Sequence, residues 1–318
     1  MLKRLKSKKL LYILVVVNIL LLAVNVILLV KNNSDSKAAL DSKNYLFLSK
    51  RLEVENPNDI IVNFSPLRTQ AREYLNNTGL EHSFYFEYLP SGTSIRIGEN
   101  TELAAASLMK IPIVMSLYRA EELGRLKLDE KATIAAGDLS SESGELYKKG
   151  AGYQITLQEA ADLTLIHSDN TAINVIIDRL NQVIDPKDQA LYFLDAEITV
   201  QDNSEVAVLI SSRSYSSFLK CLYLSCYLER KHSQEILSKL TQTPFDDLLV
   251  AGVSDKDIVI AHKIGTFSKN VQSDCGIVYY PKRPYLVCLM IRGDETQARP
   301  AFKEISKQIY DYILKVDQ

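Results

Sequence analysis

Alternation of apolar and polar side chains, the signature of half-buried strands, occurs near both ends of this 318-residue sequence, while the stretch between keeps a helical period. Near the first end, His82 to Leu89, the turn Pro90-Ser91-Gly92-Thr93, and Ser94 to Ile97 form a predicted hairpin. Near the second, Val259 to Lys263, Gly276 to Tyr280 and Tyr285 to Ile291 are β-rich, with a turn at Pro281-Lys282-Arg283-Pro284. From 107 to about 250 the apolar residues recur at helical spacing, over 107–123, 156–166, 171–181, 211–229 and 232–240, and an amphipathic helix over 297–315 closes the chain. Strands that are far apart in sequence bury one face only by sharing a sheet. The expected fold is therefore α+β: one antiparallel sheet built from both chain ends, with an inserted helical lobe and a ligand groove between the two. Ser65-Pro66, a serine cap followed by proline at a helix start, marks the beginning of this unit, residues 65–318.

A different segment precedes it. Residues 1–9 carry Lys3, Arg4, Lys6, Lys8 and Lys9 without an acid, and residues 10–30 are apolar apart from Asn18 and Asn25. As a helix that run is roughly 30 Å long, the thickness of a bilayer core. It exceeds the apolar core of a signal peptide and lacks a clear small-x-small cleavage site before Lys31-Asn32-Asn33-Ser34. An uncleaved transmembrane helix in the lipid bilayer is expected, with a cytoplasmic N-terminus, a polar stalk over 31–64 and an extracytoplasmic domain. The whole chain has 37 basic and 39 acidic side chains, five of the cations lying before the apolar run. The rest is acidic, which excludes nucleic acid as a partner.

Four cysteines would lie in an oxidising compartment. Cys221 and Cys226, five apart in a helical stretch, would point roughly 140° away from one another, which argues against a bridge. Cys275 and Cys288 flank a hairpin but alternate with apolar residues, so they are expected to pack as small hydrophobes. His82, His167, His232 and His262 form no metal-binding pattern, and neither a metal nor a cofactor is expected. Arg292-Gly293-Asp294 follows a strand and reads as a turn.

Three short patterns carry chemistry. Ser107-Leu108-Met109-Lys110 places a hydroxyl and an amine on one helix face. Beside Leu108, Met109 and Ile111 that amine can lose its proton easily enough to serve as a base for the serine. Ser107 at the helix start also offers its backbone N–H to an oxyanion. Alone, the pattern is as well explained by a capping serine and a surface lysine. Ser168-Asp169-Asn170 lies at a junction of two helices, where capping is the ordinary explanation. His262-Lys263-Ile264-Gly265-Thr266 ends a strand, setting a cation beside an unobstructed backbone edge suited to an acyl substrate with a carboxylate.

In this order the triplet resembles the class A β-lactamases and the related penicillin-binding transpeptidases and carboxypeptidases, over roughly residues 65–318. The resemblance implies a serine hydrolase acting through an acyl-enzyme on β-lactams or D-Ala-D-Ala-type peptidoglycan peptides. It makes Ser107 the nucleophile, Lys110 its proton acceptor and Ser168 a relay toward the leaving nitrogen. Asn170 would hold Lys110 and the substrate amide, Lys263 would supply positive potential, and the N–H groups of Ser107 and Thr266, the latter following Gly265, would form the oxyanion hole. Asp169 would fix its loop.

The sequence departs from the family in three places. Between 171 and 210 the acids include Asp195, Glu197, Asp202 and Glu205, but neither glutamate has Asn four residues on, so no water-activating E-x-x-x-N site is found. Ile264 stands where the family usually has Thr or Ser, and the arginine often found on the next strand is missing near Asp274-Cys275-Gly276, with Thr266, Ser268 and Arg292 as candidate substitutes. Loss of a general base slows a step by about 10²–10⁴-fold, so acylation with slow deacylation is expected. The alternative is a non-catalytic penicillin- or wall-binding sensor. The sequence sets no oligomeric state.

Overall fold

The computed structural model describes residues 45–48, 61–202, 206–268 and 270–316. The expected apolar anchor at 10–30 lies outside them, and among the described residues no helix is long and apolar enough to cross a membrane.

Strand β1 (Glu81–Tyr88) carries Phe84, Phe86 and Tyr88 on one face and Ser83, Tyr85 and Glu87 on the other, as the two-residue period requires. It pairs with β2 (Thr93–Ile97) through a tight turn and with a strand from the far end of the chain, β10 (Tyr285–Arg292). Strands β8 (Ile260–Phe267) and β9 (Val271–Val278) complete an antiparallel sheet in the order β2-β1-β10-β9-β8. The sheet is thus assembled from both ends, leaving β8 as an edge.

One face is covered by the first and last helices, α1 (Ser65–Asn77) and α8 (Glu295–Val316). Ala298, Ala301, Phe302, Ile305, Ile309 and Ile313 recur at helical spacing along α8 and pack, with Leu67, Ala71 and Leu75 of α1, on Phe84, Phe86, Val287 and Leu289. Each large side chain buried there contributes roughly 1.5–3 kcal/mol. The N-cap of α1 is Phe64, a buried core residue, and the backbone N–H of Ser65 is taken by Asn63 Oδ1 at 3.0 Å. Ser65 is thus inside the helix rather than its cap. Within the expected stalk, Leu48 is buried and Phe47 stacks on Tyr279, whose hydroxyl donates to the Phe47 carbonyl at 2.9 Å.

The other face carries the inserted lobe. A two-residue strand β3 (Leu103–Ala104) leads through a 3-10 turn, Ala106–Met109, into α2 (Lys110–Glu122). After the short pair β4 (Lys131–Thr133) and β5 (Gln154–Thr156) come α3 (Leu157–Ile166), capped by Thr156 and Glu159, and α4 (Asn170–Val183), capped by Asp169. The lobe continues with α5 (Ala190–Phe193), β6 (Ile198–Asp202), β7 (Val206–Ile210), α6 (Ser212–Leu224) and α7 (Arg230–Leu240). The middle is therefore not wholly helical: β6, β7 and β3 form a second sheet in the order β3-β7-β6. Val206 to Ile210 is apolar at every position, so no two-residue alternation marks that strand in the sequence.

Both cysteine expectations are overturned. Helix α6 ends at Leu224, not 229, and Ser225 is left-handed (φ 52°), so the chain doubles back and Cys226 bonds to Cys221 with Cα atoms 5.1 Å apart. The helical projection does not apply beyond that stop. Cys275 and Cys288 are direct cross-strand partners of β9 and β10, and they are also bonded.

Candidate active site

The chain reaches Ser107 through a strained step. Ala106 has φ 47°, a left-handed conformation costly for a residue with a Cβ. It ends the pairing of β3 and starts the helical turn, and the backbone on either side is tied down. Ala105 N–H donates to the Val208 carbonyl at 2.8 Å, Leu108 N–H to the Ala105 carbonyl at 2.9 Å, and the Tyr215 hydroxyl to the Leu108 carbonyl at 3.1 Å. Ser107 is thereby held at the N-terminal end of α2, the end that favours negative charge.

One turn on, Lys110 is buried, and its Nζ lies 3.1 Å from Ser107 Oγ. It also reaches Ser168 Oγ at 3.1 Å, the Ser168 carbonyl at 2.5 Å and Asn170 Oδ1 at 2.6 Å. Burial lowers its pKa to about 8, against the opposing pull of the Asp169 and Glu142 carboxylates. The free amine is therefore reached closer to neutral pH than for an exposed lysine. In that form Nζ has a lone pair directed among two hydroxyls, one to deprotonate and one to pass a proton on.

Ser168 and Asn170 come from the junction of α3 and α4. Ser168 is left-handed (φ 56°), and Asp169 follows as the cap of α4, its carboxylate accepting from Ala172 N–H and Leu146 N–H at 2.9 Å each. Asn170 N–H donates to the Ser143 carbonyl at 2.9 Å. Gly144 is required for this: with φ +82°, a Cβ there would fall 2.0 Å from Asp169 Oδ2. Asp169 therefore fixes the loop, and Ser168 and Asn170 face Lys110.

The third component is β8. Lys263, 1% exposed, points toward the lobe, its Nζ donating to the Ile264 carbonyl at 3.3 Å. Burial, and then the charge of Lys110, lower its pKa to about 7, while Asp274 works the other way. Gly265 lies so close to the nucleophile turn that a Cβ would be 2.9 Å from the Ala105 carbonyl and 3.2 Å from Leu108 Cγ. Only glycine lets the edge strand come this near. Thr266 is exposed beside that crossing, its hydroxyl donating to Gln272 Oε1 at 3.0 Å. The residues expected from the sequence are thus brought together: Ser107, Lys110, Ser168 and Asn170 by direct hydrogen bonds, Gly265 by contact, and Lys263 by the electrostatic effect of Lys110.

Of the candidate replacements, Arg292 is engaged with Glu81 at 2.5 Å, and Thr266 with Gln272. Ile264 packs against the α1–α8 core. Among the acids of 171–210, Glu197 accepts from Ser214 on α6 at 3.4 Å, while Glu205 and the side chain of Asp202 lie outside the described residues. The carboxylate that does reach the site was not anticipated: Glu142 accepts from Asn170 Nδ2 at 3.3 Å. It lies in the aperiodic loop Ser140-Ser141-Glu142-Ser143, and nothing in the sequence distinguishes it from a solvated acid.

A family described as the Beta-lactamase enzyme family matches residues 66–313. The chain belongs to that family. It is accordingly a serine hydrolase of the class A β-lactamase-like type. Among solved structures it resembles PBP-A, at 26% identity over 79% of this chain and 97% of PBP-A, with a TM-score of 0.70. A PBP-A mutant solved as the acyl-enzyme complex with penicillin G matches at 27% identity, with the same coverage and a TM-score of 0.71. The β-lactamase of Sphaerobacter thermophilus DSM 20745 shares the fold at 20% identity, covering 80% of this chain and 99% of that one, with a TM-score of 0.71.

Proposed function

We propose that this family member forms a long-lived acyl-enzyme on Ser107 with β-lactams, or with peptides ending in D-Ala-D-Ala, while anchored to a membrane by residues 10–30. The observation that carries the reading is the buried Lys110 amine 3.1 Å from Ser107 Oγ, in contact with Ser168 and Asn170 as well. The free amine takes the hydroxyl proton as Oγ attacks the acyl carbonyl. The developing oxyanion is held by the N–H groups of Ser107 and Thr266. The proton passes through Ser168 Oγ to the departing nitrogen, and Asn170 orients the acyl amide. Lys263 attracts the substrate carboxylate.

Slow release is supported by the sequence, in which neither glutamate between residues 171 and 210 has Asn four residues on. Within residues 171–210, strand β7 hydrogen-bonds the backbone leading to Ser107. Val200 on β6 is 61% exposed. A PBP-A mutant solved as an acyl-enzyme complex with penicillin G supports the reading of a penicillin-acylated serine.

Incubation of the full chain with benzylpenicillin should add one acyl group, located on Ser107 by peptide mass spectrometry and absent from Ser107→Ala. A chromogenic β-lactam should give a stoichiometric burst and a much slower steady state. No adduct, or an adduct elsewhere, would end the proposal. Fractionation of expressing cells should place the chain in the membrane, and deletion of residues 1–30 should release it.

A further inference from the structure

The helical ladder of α2 is interrupted at the turn that carries the nucleophile. In a continuing helix the Leu108 carbonyl would accept from the amide four residues on, but that residue is Pro112, which has no N–H. Tyr215 of α6 supplies a donor instead, its hydroxyl 3.1 Å from the Leu108 carbonyl oxygen. The side chain is fully buried. Burial, and then the Asp274 carboxylate, push its pKa up, so the hydroxyl keeps the proton it donates. The helix that carries it is itself fixed to the main sheet: one turn before Tyr215, the Ser212 N–H donates to Ser83 Oγ of β1 at 3.0 Å, and the two serine hydroxyls are 2.9 Å apart. Gly265 of β8, in the same sheet, also closes on Leu108, since a Cβ there would be 3.2 Å from Leu108 Cγ and 3.4 Å from Leu108 N. The residue after the nucleophile is thus referred to the sheet at two points.

We infer, on the acyl-enzyme reading above, that Tyr215 is a positioning residue for acyl transfer: its hydroxyl stands in for the amide missing at Pro112 and holds the Ser107–Lys110 turn in register with Lys263. The left-handed Ala106 (φ 47°) gives the turn a strain to release once that bond is lost. Ser107 Oγ then drifts from the Lys110 amine, now 3.1 Å away, and the Ser107 N–H from the oxyanion it faces. Tyr215 touches neither substrate nor proton path, so its effect falls on the attack and not on the binding that precedes it.

Stopped-flow acylation of the full chain by a chromogenic β-lactam separates the rate constant at saturation from the dissociation constant of the encounter complex. Tyr215→Phe keeps the ring and its packing on Phe218. It should lower the rate constant roughly tenfold or more and leave the dissociation constant unchanged. Pro112→Ala places an N–H at 112. Met109 (φ −62°, ψ −15°) and Lys110 (φ −63°, ψ −33°) are already helical, so that N–H points back at the Leu108 carbonyl. Alone it should leave acylation unchanged, because either donor suffices, and combined with Tyr215→Phe it should restore most of the lost rate. A mere packing role for Tyr215 produces no such coupling. Ser216→Ala removes another buried hydroxyl of α6, one that donates to the Ser212 carbonyl at 2.7 Å, and should leave the rate constant as it is. An unchanged rate constant in Tyr215→Phe, or a loss that Pro112→Ala does not restore, would overturn the inference while the wild type still acylates. Absence of any acylation of the wild type would overturn the catalytic reading and the inference with it.

Discussion

The carboxylate of Asp169 fills the space where a side chain on residue 144 would stand, since a Cβ at Gly144 would be 2.0 Å from Oδ2 and 2.5 Å from the Asp169 Cα. Two loops far apart in sequence are locked together at this point, and the serine and asparagine that face Lys110 lie on either side of it. Their positions depend on a residue with no functional group.

Gly144→Ala should therefore reduce both stability and acylation. Its φ of +82° is strained for alanine, and the added methyl displaces a carboxylate that accepts two backbone N–H groups. A loss of about 3 kcal/mol in denaturant unfolding is expected, with at least a tenfold slower acylation of the remaining folded chain. A variant within about 0.5 kcal/mol of wild type, the ordinary range for surface changes, would show that the loop relaxes around it.

Much of this arrangement could be read from the sequence because its determinants are local. The strand period at both ends, with helical spacing between, specifies which segments share a sheet, and β1 indeed pairs with β10. The site residues fall at helix starts and a strand end, positions marked by short-range signals. What could not be read depends on long-range approach. Glu142 is one loop acid among many until folding sets it against Asn170. Cys226 was projected along a helix that stops two residues earlier. Strand β7 is apolar at every position and shows no alternation, and its partner β3 lies about a hundred residues away in sequence, beyond any local signal.

The acylation rate should be bell-shaped in pH. Below about 8 the Lys110 amine is increasingly protonated and cannot accept the serine proton, so the acid limb rises with pH. Above about 7 Lys263 loses the charge that attracts the substrate carboxylate, so the rate falls on the alkaline side. The maximum should lie midway, at about pH 7.5. Measuring the benzylpenicillin acylation constant from acid to alkaline pH checks this. A rate still climbing well above pH 9 would remove Lys263 from substrate binding, and a flat profile would remove Lys110 as the base.

The four cysteines should take up no thiol reagent in denaturant alone and four equivalents after reduction, because both pairs are bonded. Replacing Cys275 and Cys288 together by serine should cost about 2–3 kcal/mol for a closed loop of this size. Alkylation without reductant would return the cysteines to the role of small packing residues. The loss on replacement is to be read against Cys221 and Cys226, whose shorter loop predicts a smaller one.

Lys263 should make the chain less stable than an apolar residue would. Its pKa falls from 10.5 to about 7 on folding because the ammonium is buried. Between those values the unfolded chain holds a proton that the folded chain releases, so stability rises with pH across that window, and below about 7 the folded chain bears the buried cation. Lys263→Met, of similar length and without charge, should raise stability by about 1–4 kcal/mol at pH 6. The gain should shrink as pH approaches 10, while acylation by carboxylate-bearing β-lactams falls sharply. Thermal unfolding of both proteins across this pH range is the measurement. Equal melting temperatures at pH 6 would mean that Lys263 is solvated in the folded chain, and a stabilised variant that kept full acylation would leave the buried cation without a catalytic reason to be there.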